Sequence, residues 1–228
     1  MSRDPNINTV ELAAAALGAL LDDFVLVGGC AVGLLVTDQA RALVRHTIDV
    51  DLLTEVTSTK DYYELSERLR SLGFSEQPTD EVICRWAYKA LLIDVMPTDS
   101  KVLGFANRWY PEAARYASLI ELPSGRSMRL ITAPHFLATK FEAFAARGAG
   151  DYLHHDMEDI VTVIDGRESI VAEVLACHAN VRNFLVDEID ALLADSQFVD
   201  RITWLLPPDD LAARFEVVME RMRRIAGL

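Results

Sequence analysis

Three carboxylates and a glycine pair are the residues of this chain that could do chemistry together. Asp49 and Asp51 stand two apart in TIDVDLLT, and Asp94 sits inside LLIDVMP, an apolar run in which an unpaired acid is costly to bury. On a strand, residues two apart lie about 6–7 Å apart and point the same way, so the carboxylates of Asp49 and Asp51 can meet at one ion. If Asp94 joins them, each pair of charges at about 4 Å repels by roughly 4 kcal/mol at an effective dielectric of 20, more than a surface contact returns. A cation must then neutralise them. Oxygen-only ligands in a partly open site suit Mg²⁺ or Mn²⁺, and two such ions can clamp the attacking and leaving oxygens of a phosphoryl-group transfer. A DxD alone commonly marks two solvated acids, and Gly28-Gly29 alone commonly marks a plain turn. Their order along the chain carries the weight: strand, Gly-Gly, helix, DxD on a strand, then an acid inside a later strand.

The elements that must position these residues follow from periodicity. Asn8 to Asp22 places apolar residues at helical spacing. Phe24 to Val27 reads as a short strand that ends in Gly28-Gly29, with a helix from Ala31 to Val36, so a phosphate could dock at the glycine turn. Thr47 to Thr54 alternates, with Asp49, Asp51 and Leu53 on one face and Ile48, Val50 and Leu52 on the other. An amphipathic helix over Thr59 to Leu72 stops at Gly73, and Val82 to Tyr88 with Ala90 to Met96 form two strands able to pair as a hairpin. Beyond Pro97 the pattern loosens around Trp109-Tyr110-Pro111, and the Ser124-Gly125 turn implies one further hairpin. From Pro134 helix follows helix, first to about Arg147, then from about His155 to Ile164, then a small bundle to the end.

Composition narrows the class. A hydrophobic fraction of 51% and a charged fraction of 25% are those of globular proteins, which disfavours disordered and fibrous classes. With 228 residues there is room for a catalytic domain and a helical appendage, here residues 1–133 and 134–228. No apolar run reaches the roughly 18 residues that span a bilayer, and the N-terminal stretch lacks a basic segment and a small-residue cleavage site, so a cytoplasmic protein with no membrane partner is expected. Cys30, Cys84 and Cys177 are widely spaced with no CxxC pair, which predicts three reduced thiols. A formal charge of -13 argues against a protein that coats nucleic acid.

VGGCAVGLL, RHTIDVDLL and LLIDVMP together resemble the nucleotidyltransferase superfamily, whose pattern is a Gly-Gly or Gly-Ser turn, a DxD and a third acid. The later stretch ATKFEAFAARGAGDYLHHDMEDIVTVIDGR resembles the AbiEii/AbiGii-type nucleotidyltransferase toxins, including relatives that act on tRNA. The resemblance implies an α+β fold, with a polymerase-beta-like core on a mixed sheet followed by a C-terminal helical bundle that completes the active site. Carried onto this chain, it implies that Gly28 and Gly29 cradle the triphosphate, that Asp49, Asp51 and Asp94 bind metal, and that Arg45 lies near the nucleotide. It further implies that Lys140 grips phosphate and that Asp156, or in second place Asp159, is the late acid. His154 and His155 precede Asp156, but as neighbours on a helix they are expected to point apart and hold no metal. Where many members carry Ser after the first Gly, this chain has Gly29, so backbone amides must replace that hydroxyl.

The activity so implied is metal-dependent transfer of a nucleotide from an NTP to an acceptor hydroxyl with release of pyrophosphate. RNA, in particular tRNA, is the implied acceptor, and a cognate antitoxin the implied partner. Two rival readings use the same residues: a nucleotidyltransferase for small molecules such as aminoglycosides, and a catalytically silent nucleotide-binding module.

Overall fold

The computed structural model describes residues 4–38, 44–77, 82–148 and 150–228. Two compact units emerge, one comprising residues 1–33 and 45–132, the other residues 34–44 and 133–228.

The first unit opens with helix α1 (Ile7–Leu17), whose Val10, Ala13, Ala14 and Leu17 are buried. The α-helix is shorter than its apolar periodicity predicts. Gly18, at φ 54°, breaks it, and a 3₁₀ segment over Gly18–Asp23 takes over. Strand β1 (Phe24–Leu26) follows, then helix α2 (Gly28–Leu35). The glycine pair is therefore the first turn of the helix itself and not a turn ahead of it. Strand β2 (Asp49–Thr54) and helix α3 (Thr59–Ser71) come next. Ser58 caps α3 by accepting a 3.1 Å hydrogen bond from the Asp61 amide, and the chain leaves the helix through Gly73 at φ 91°.

A two-residue strand β3 (Ser75–Glu76), which periodicity does not reveal, precedes the expected hairpin of β4 (Arg85–Tyr88) and β5 (Leu91–Pro97). Short helices α4 (Ser100–Leu103) and α5 (Tyr110–Arg115) fill the stretch that looked irregular. In α5, Pro111 sits in the first turn, where its missing N–H removes nothing the helix would use. Strands β6 (Ser118–Glu121) and β7 (Ser127–Leu130) close the unit as the hairpin expected around Ser124-Gly125.

Among the described residues, seven strands form one mixed sheet in the order β3-β4-β5-β2-β1-β7-β6. Its centre is made of β1 antiparallel to β2 and of β2 parallel to β5, with α1 packed on β2 and β5. Val50, Leu52, Ile93 and Val95 are fully buried, each such burial contributing roughly 1.5–3 kcal/mol. Ile48 was expected to share that apolar face, but it precedes the strand and is 68% exposed.

The second unit is helical. It contains α6 (Ala133–Ala143), which continues as a π turn over Phe144–Gly148, then α7 (His155–Gly166), α8 (Ile170–Ala176), α9 (Ala179–Ala194), α10 (Ser196–Arg201) and α11 (Leu211–Ala226). Both α6 and α11 pack on α7, α8 and α9. Arg221 donates to the carbonyls of Ile164 and Asp165, satisfying groups the end of α7 would leave bare. No helix among the described residues is long and apolar enough to cross a membrane.

Candidate active site

Strands β2 and β5 run in parallel with Asp51 opposite Asp94 and Asp49 opposite Leu92. Residues opposite one another in a sheet point to the same face, and residues two apart on one strand share it as well. Asp49, Asp51 and Asp94 therefore lie on one face, while Val50, Leu52, Ile93 and Val95 fill the other. Asp94 is 5% exposed, and Asp49 and Asp51 are half-buried.

The glycine pair abuts these acids. The Val27 amide donates to the Asp51 carbonyl at 3.0 Å, which delivers the chain into α2 directly beside Asp51. Gly28 has φ +62°, and a β-carbon placed there would stand 1.8 Å from Asp51 Oδ2. Position 28 thus requires glycine twice, for its backbone angle and for the space. At Gly29 the requirement is weaker, since a β-carbon would meet Arg45 Nη2 at 3.2 Å and the Thr47 side chain at 3.4 Å. These contacts put Arg45 against the start of α2.

A buried residue that sequence reasoning passed over sets the approach to β2. Asn6 is fully buried; its Nδ2 donates to the Arg45 carbonyl at 2.9 Å, and its Oδ1 accepts from the Thr47 amide at 3.0 Å. Thr47 in turn donates its hydroxyl to Asp49 Oδ1 at 3.0 Å, and the Cys30 thiol donates to the Asp49 carbonyl at 3.2 Å. Nothing in the sequence links position 6 to position 49, because the connection closes only in the folded chain.

Arg85 is the second residue missed. Its Nε and Nη2 bind Asp94 side-on at 2.8 and 2.7 Å, and Nη2 also reaches Asp49 Oδ2 at 2.5 Å. The bond to Asp94, with the charges of Asp94, Asp49 and Asp51, outweighs burial and holds the guanidinium pKa above its ordinary value. A signal did exist. Lys89, at φ 56°, and Ala90 turn the hairpin, Tyr88 faces Leu91, and counting back along both strands brings Arg85 opposite Asp94.

Three carboxylate oxygen donors on one face, with Gly28 leaving room for Asp51, make a set that fits a hard divalent cation such as Mg²⁺ or Mn²⁺. A cleft of about 390 Å³ lined by Asp22, Asp23, Thr54, Glu55 and Arg129 contains none of the three acids.

In the second unit, Lys140, Asp156 and Asp159 come together. Lys140 is buried on α6, and its ammonium lies 2.9 Å from Asp156 and 2.7 Å from Asp159 on α7. Burial alone would depress the Lys140 pKa, but the two carboxylates reverse the sign and hold it above the ordinary lysine value. Asp156, fully buried, also accepts Arg147 Nε at 2.7 Å and Nη2 at 2.9 Å. Burial would raise its pKa; Arg147 and Lys140 overcome that and hold it well below the carboxylate range. Both candidate late acids are thus partners of the same lysine.

The two neighbouring histidines do not diverge. His154 precedes α7 in extended backbone at φ −62° and ψ 144°, and its ring lies against that of His155 with centroids 4.0 Å apart and planes tilted by 36°. One ligand atom from each of His154, His155 and Asp156 falls within 4.8 Å of the others. An ion there would have to displace two cations, Lys140 and Arg147, from a single carboxylate and break the 3.2 Å bond from the Asp156 amide to His154 Nδ1.

No family model and no curated protein matches the sequence. Among solved structures, the chain is similar to an antigenic nucleotidyltransferase-like protein from Paracoccidioides brasiliensis, at 18% identity over 94% of each chain with a TM-score of 0.50. It is also similar to ANT(2″)-Ia in complex with adenylyl-2″-tobramycin, at 17% identity over 78% of this chain and 97% of that one, with a TM-score of 0.49. The fold is the α+β fold of nucleotidyltransferase-like proteins.

Proposed function

We propose that the chain is a nucleotidyltransferase that moves a nucleotide from an NTP to an acceptor hydroxyl and releases pyrophosphate, using Mg²⁺ or Mn²⁺. One observation carries this reading: Asp49, Asp51 and Asp94 share a face of the sheet beside the glycine start of α2. The three acids would hold the divalent ion. When bound, that ion supplies charge neutralisation at the transferring phosphoryl group. Gly28 and Gly29 open α2, and their backbone amides would receive the triphosphate there, since backbone donors and the helix dipole at a helix N-terminus favour an anion. Arg45, against Gly29, adds a positive charge there.

Lys140 and Asp156 enter the proposal on the family resemblance alone, as the phosphate-binding lysine and the late acid. Lys140 is held by Asp156 and Asp159, so gripping phosphate requires it to exchange a carboxylate for the nucleotide. The same resemblance makes RNA, specifically tRNA, the proposed acceptor and places the chain as the toxin of a toxin-antitoxin pair. A net charge of -13 favours a second reading, in which the acceptor is a small cationic molecule such as an aminoglycoside.

Incubating the protein with labelled NTPs, Mg²⁺ and either total tRNA or aminoglycosides separates the two acceptors. Asp49→Ala and Asp51→Ala are expected to lower transfer at least about a hundredfold with the fold retained. Full transfer by either variant would remove the proposed activity. For the toxin reading, expression of the chain should arrest bacterial growth and Asp49→Ala should relieve the arrest; growth unaffected by the unaltered chain speaks against it.

A further inference from the structure

We propose that Arg85 is a built-in counter-cation that holds Asp49 and Asp94 in the absence of a divalent ion and must give up those carboxylates for the ion to bind. The inference rests on the reading of the three acids as a metal site and adds a residue that controls it.

The geometry makes the two cations rivals. Arg85 uses both oxygens of Asp94 and Oδ2 of Asp49, while Thr47 uses Oδ1 of Asp49. Every carboxylate oxygen of this pair is therefore already engaged. A Mg²⁺ or Mn²⁺ ion bound to both acids needs oxygens at about 2.0–2.2 Å, in the space the guanidinium nitrogens hold. Two like charges cannot share it in so enclosed a place, with Arg85 16% exposed and Asp94 7% exposed at their side chains. A planar fork suits this holding role better than an ammonium, because it binds one carboxylate side-on and reaches a second with the same nitrogen. Arg85 is thus a positioning residue: without it, two half-desolvated acids on adjacent strands repel, and the backbone bears the strain until metal arrives.

Titration of the full chain with Mn²⁺ in the absence of nucleotide tests the proposal, with free Mn²⁺ followed by electron paramagnetic resonance. Arg85→Gln is expected to bind Mn²⁺ about tenfold tighter or more than the unaltered protein, the scale of one charge-assisted contact removed from the competition. Mn²⁺ is also expected to raise the melting temperature of Arg85→Gln by more than that of the unaltered protein. Arg85→Lys, which keeps the charge but loses the fork, should fall between the two, and it serves as the deciding variant should Arg85→Gln fail to fold. Equal or weaker binding by the variants, with the unaltered protein binding Mn²⁺ and Asp49→Ala not, overturns the role of Arg85 and leaves the metal site standing. Absence of Mn²⁺ binding in all of them overturns both.

Discussion

The carboxylate of Asp51 fills the space that a side chain on Gly28 would take, so that a β-carbon at position 28 would come within 1.8 Å of Asp51 Oδ2. Glycine at the start of α2 and the second acid of the DxD are thus one structural unit, although 23 positions apart in sequence. That coupling separates the two glycines by experiment.

Gly28→Ala is expected to destabilise the protein by about 1–3 kcal/mol, because alanine disfavours φ +62° and must also displace Asp51. Nucleotide transfer should fall with it. Gly29→Ala faces only the ends of the Arg45 and Thr47 side chains and should stay within about 1 kcal/mol of the unaltered protein. Denaturant unfolding of both variants measures the contrast, and equal losses would show that the approach of Asp51 to Gly28 does not govern this turn.

Asn6→Ala removes both hydrogen bonds that hold Arg45 and Thr47, taking this partner from the part-buried Arg45 carbonyl and the buried Thr47 amide. A loss of about 1–3 kcal/mol per unpaired buried group is expected, and transfer should weaken because Thr47 no longer steadies Asp49. Asn6→Asp keeps the acceptor for the Thr47 amide but buries a carboxylate against the Arg45 carbonyl, so near neutral pH it should recover none of that loss; a melting series over the two variants reads this directly.

The Lys140 and Asp156 pair predicts a broad plateau of stability against pH. Asp156 has its pKa lowered on folding, so its contribution is fully present above the ordinary carboxylate value of 3.8 and is lost as pH falls below it. Lys140 has its pKa raised, so its contribution is fully present below the ordinary lysine value of 10.5 and is lost as pH rises beyond it. Asp156→Asn should destabilise the helical unit toward the lower end of about 3–5 kcal/mol, since Asp159 still faces the lysine. Melting temperatures from acid to alkaline pH test this, and a variant whose acid limb matches the unaltered protein would place the acid sensitivity elsewhere.

The three cysteines are thiols, as their spacing predicts, and they differ in reach. Cys30 and Cys84 are buried; burial with neighbouring carboxylates pushes the Cys30 thiol upward and the Cys84 thiol up to about 12. In the folded protein at neutral pH a thiol reagent should modify Cys177 alone, with the other two reacting only on unfolding. Mass spectrometry of the labelled protein reads out the site, and rapid labelling of Cys30 would mean that the start of α2 opens readily.

Much of the architecture was legible because it is written at short range. The alternation in TIDVDLLT sets which residues of β2 face away from the core, the β4–β5 turn brings its two strands together, and Gly73 ends its helix. Where local signals were weak, expectation and structure part. Trp109-Tyr110-Pro111 opens a helix, Gly28-Gly29 belongs to one, and His154 lies just outside another, which brings two histidines expected to diverge into ring contact.

By itself the sequence determined which residues could carry charge, which strand each acid would occupy, and which way each points relative to its immediate neighbours. Tertiary structure decided the rest: that β2 lies beside β5 in parallel with Asp51 opposite Asp94, that Arg85 spans 36 positions to reach Asp49, and that Asn6 fixes the approach to β2. The reason is physical. Periodicity is a property of consecutive residues, whereas strand register and buried ion pairs depend on which distant segments exclude water together, a choice the whole chain makes at once.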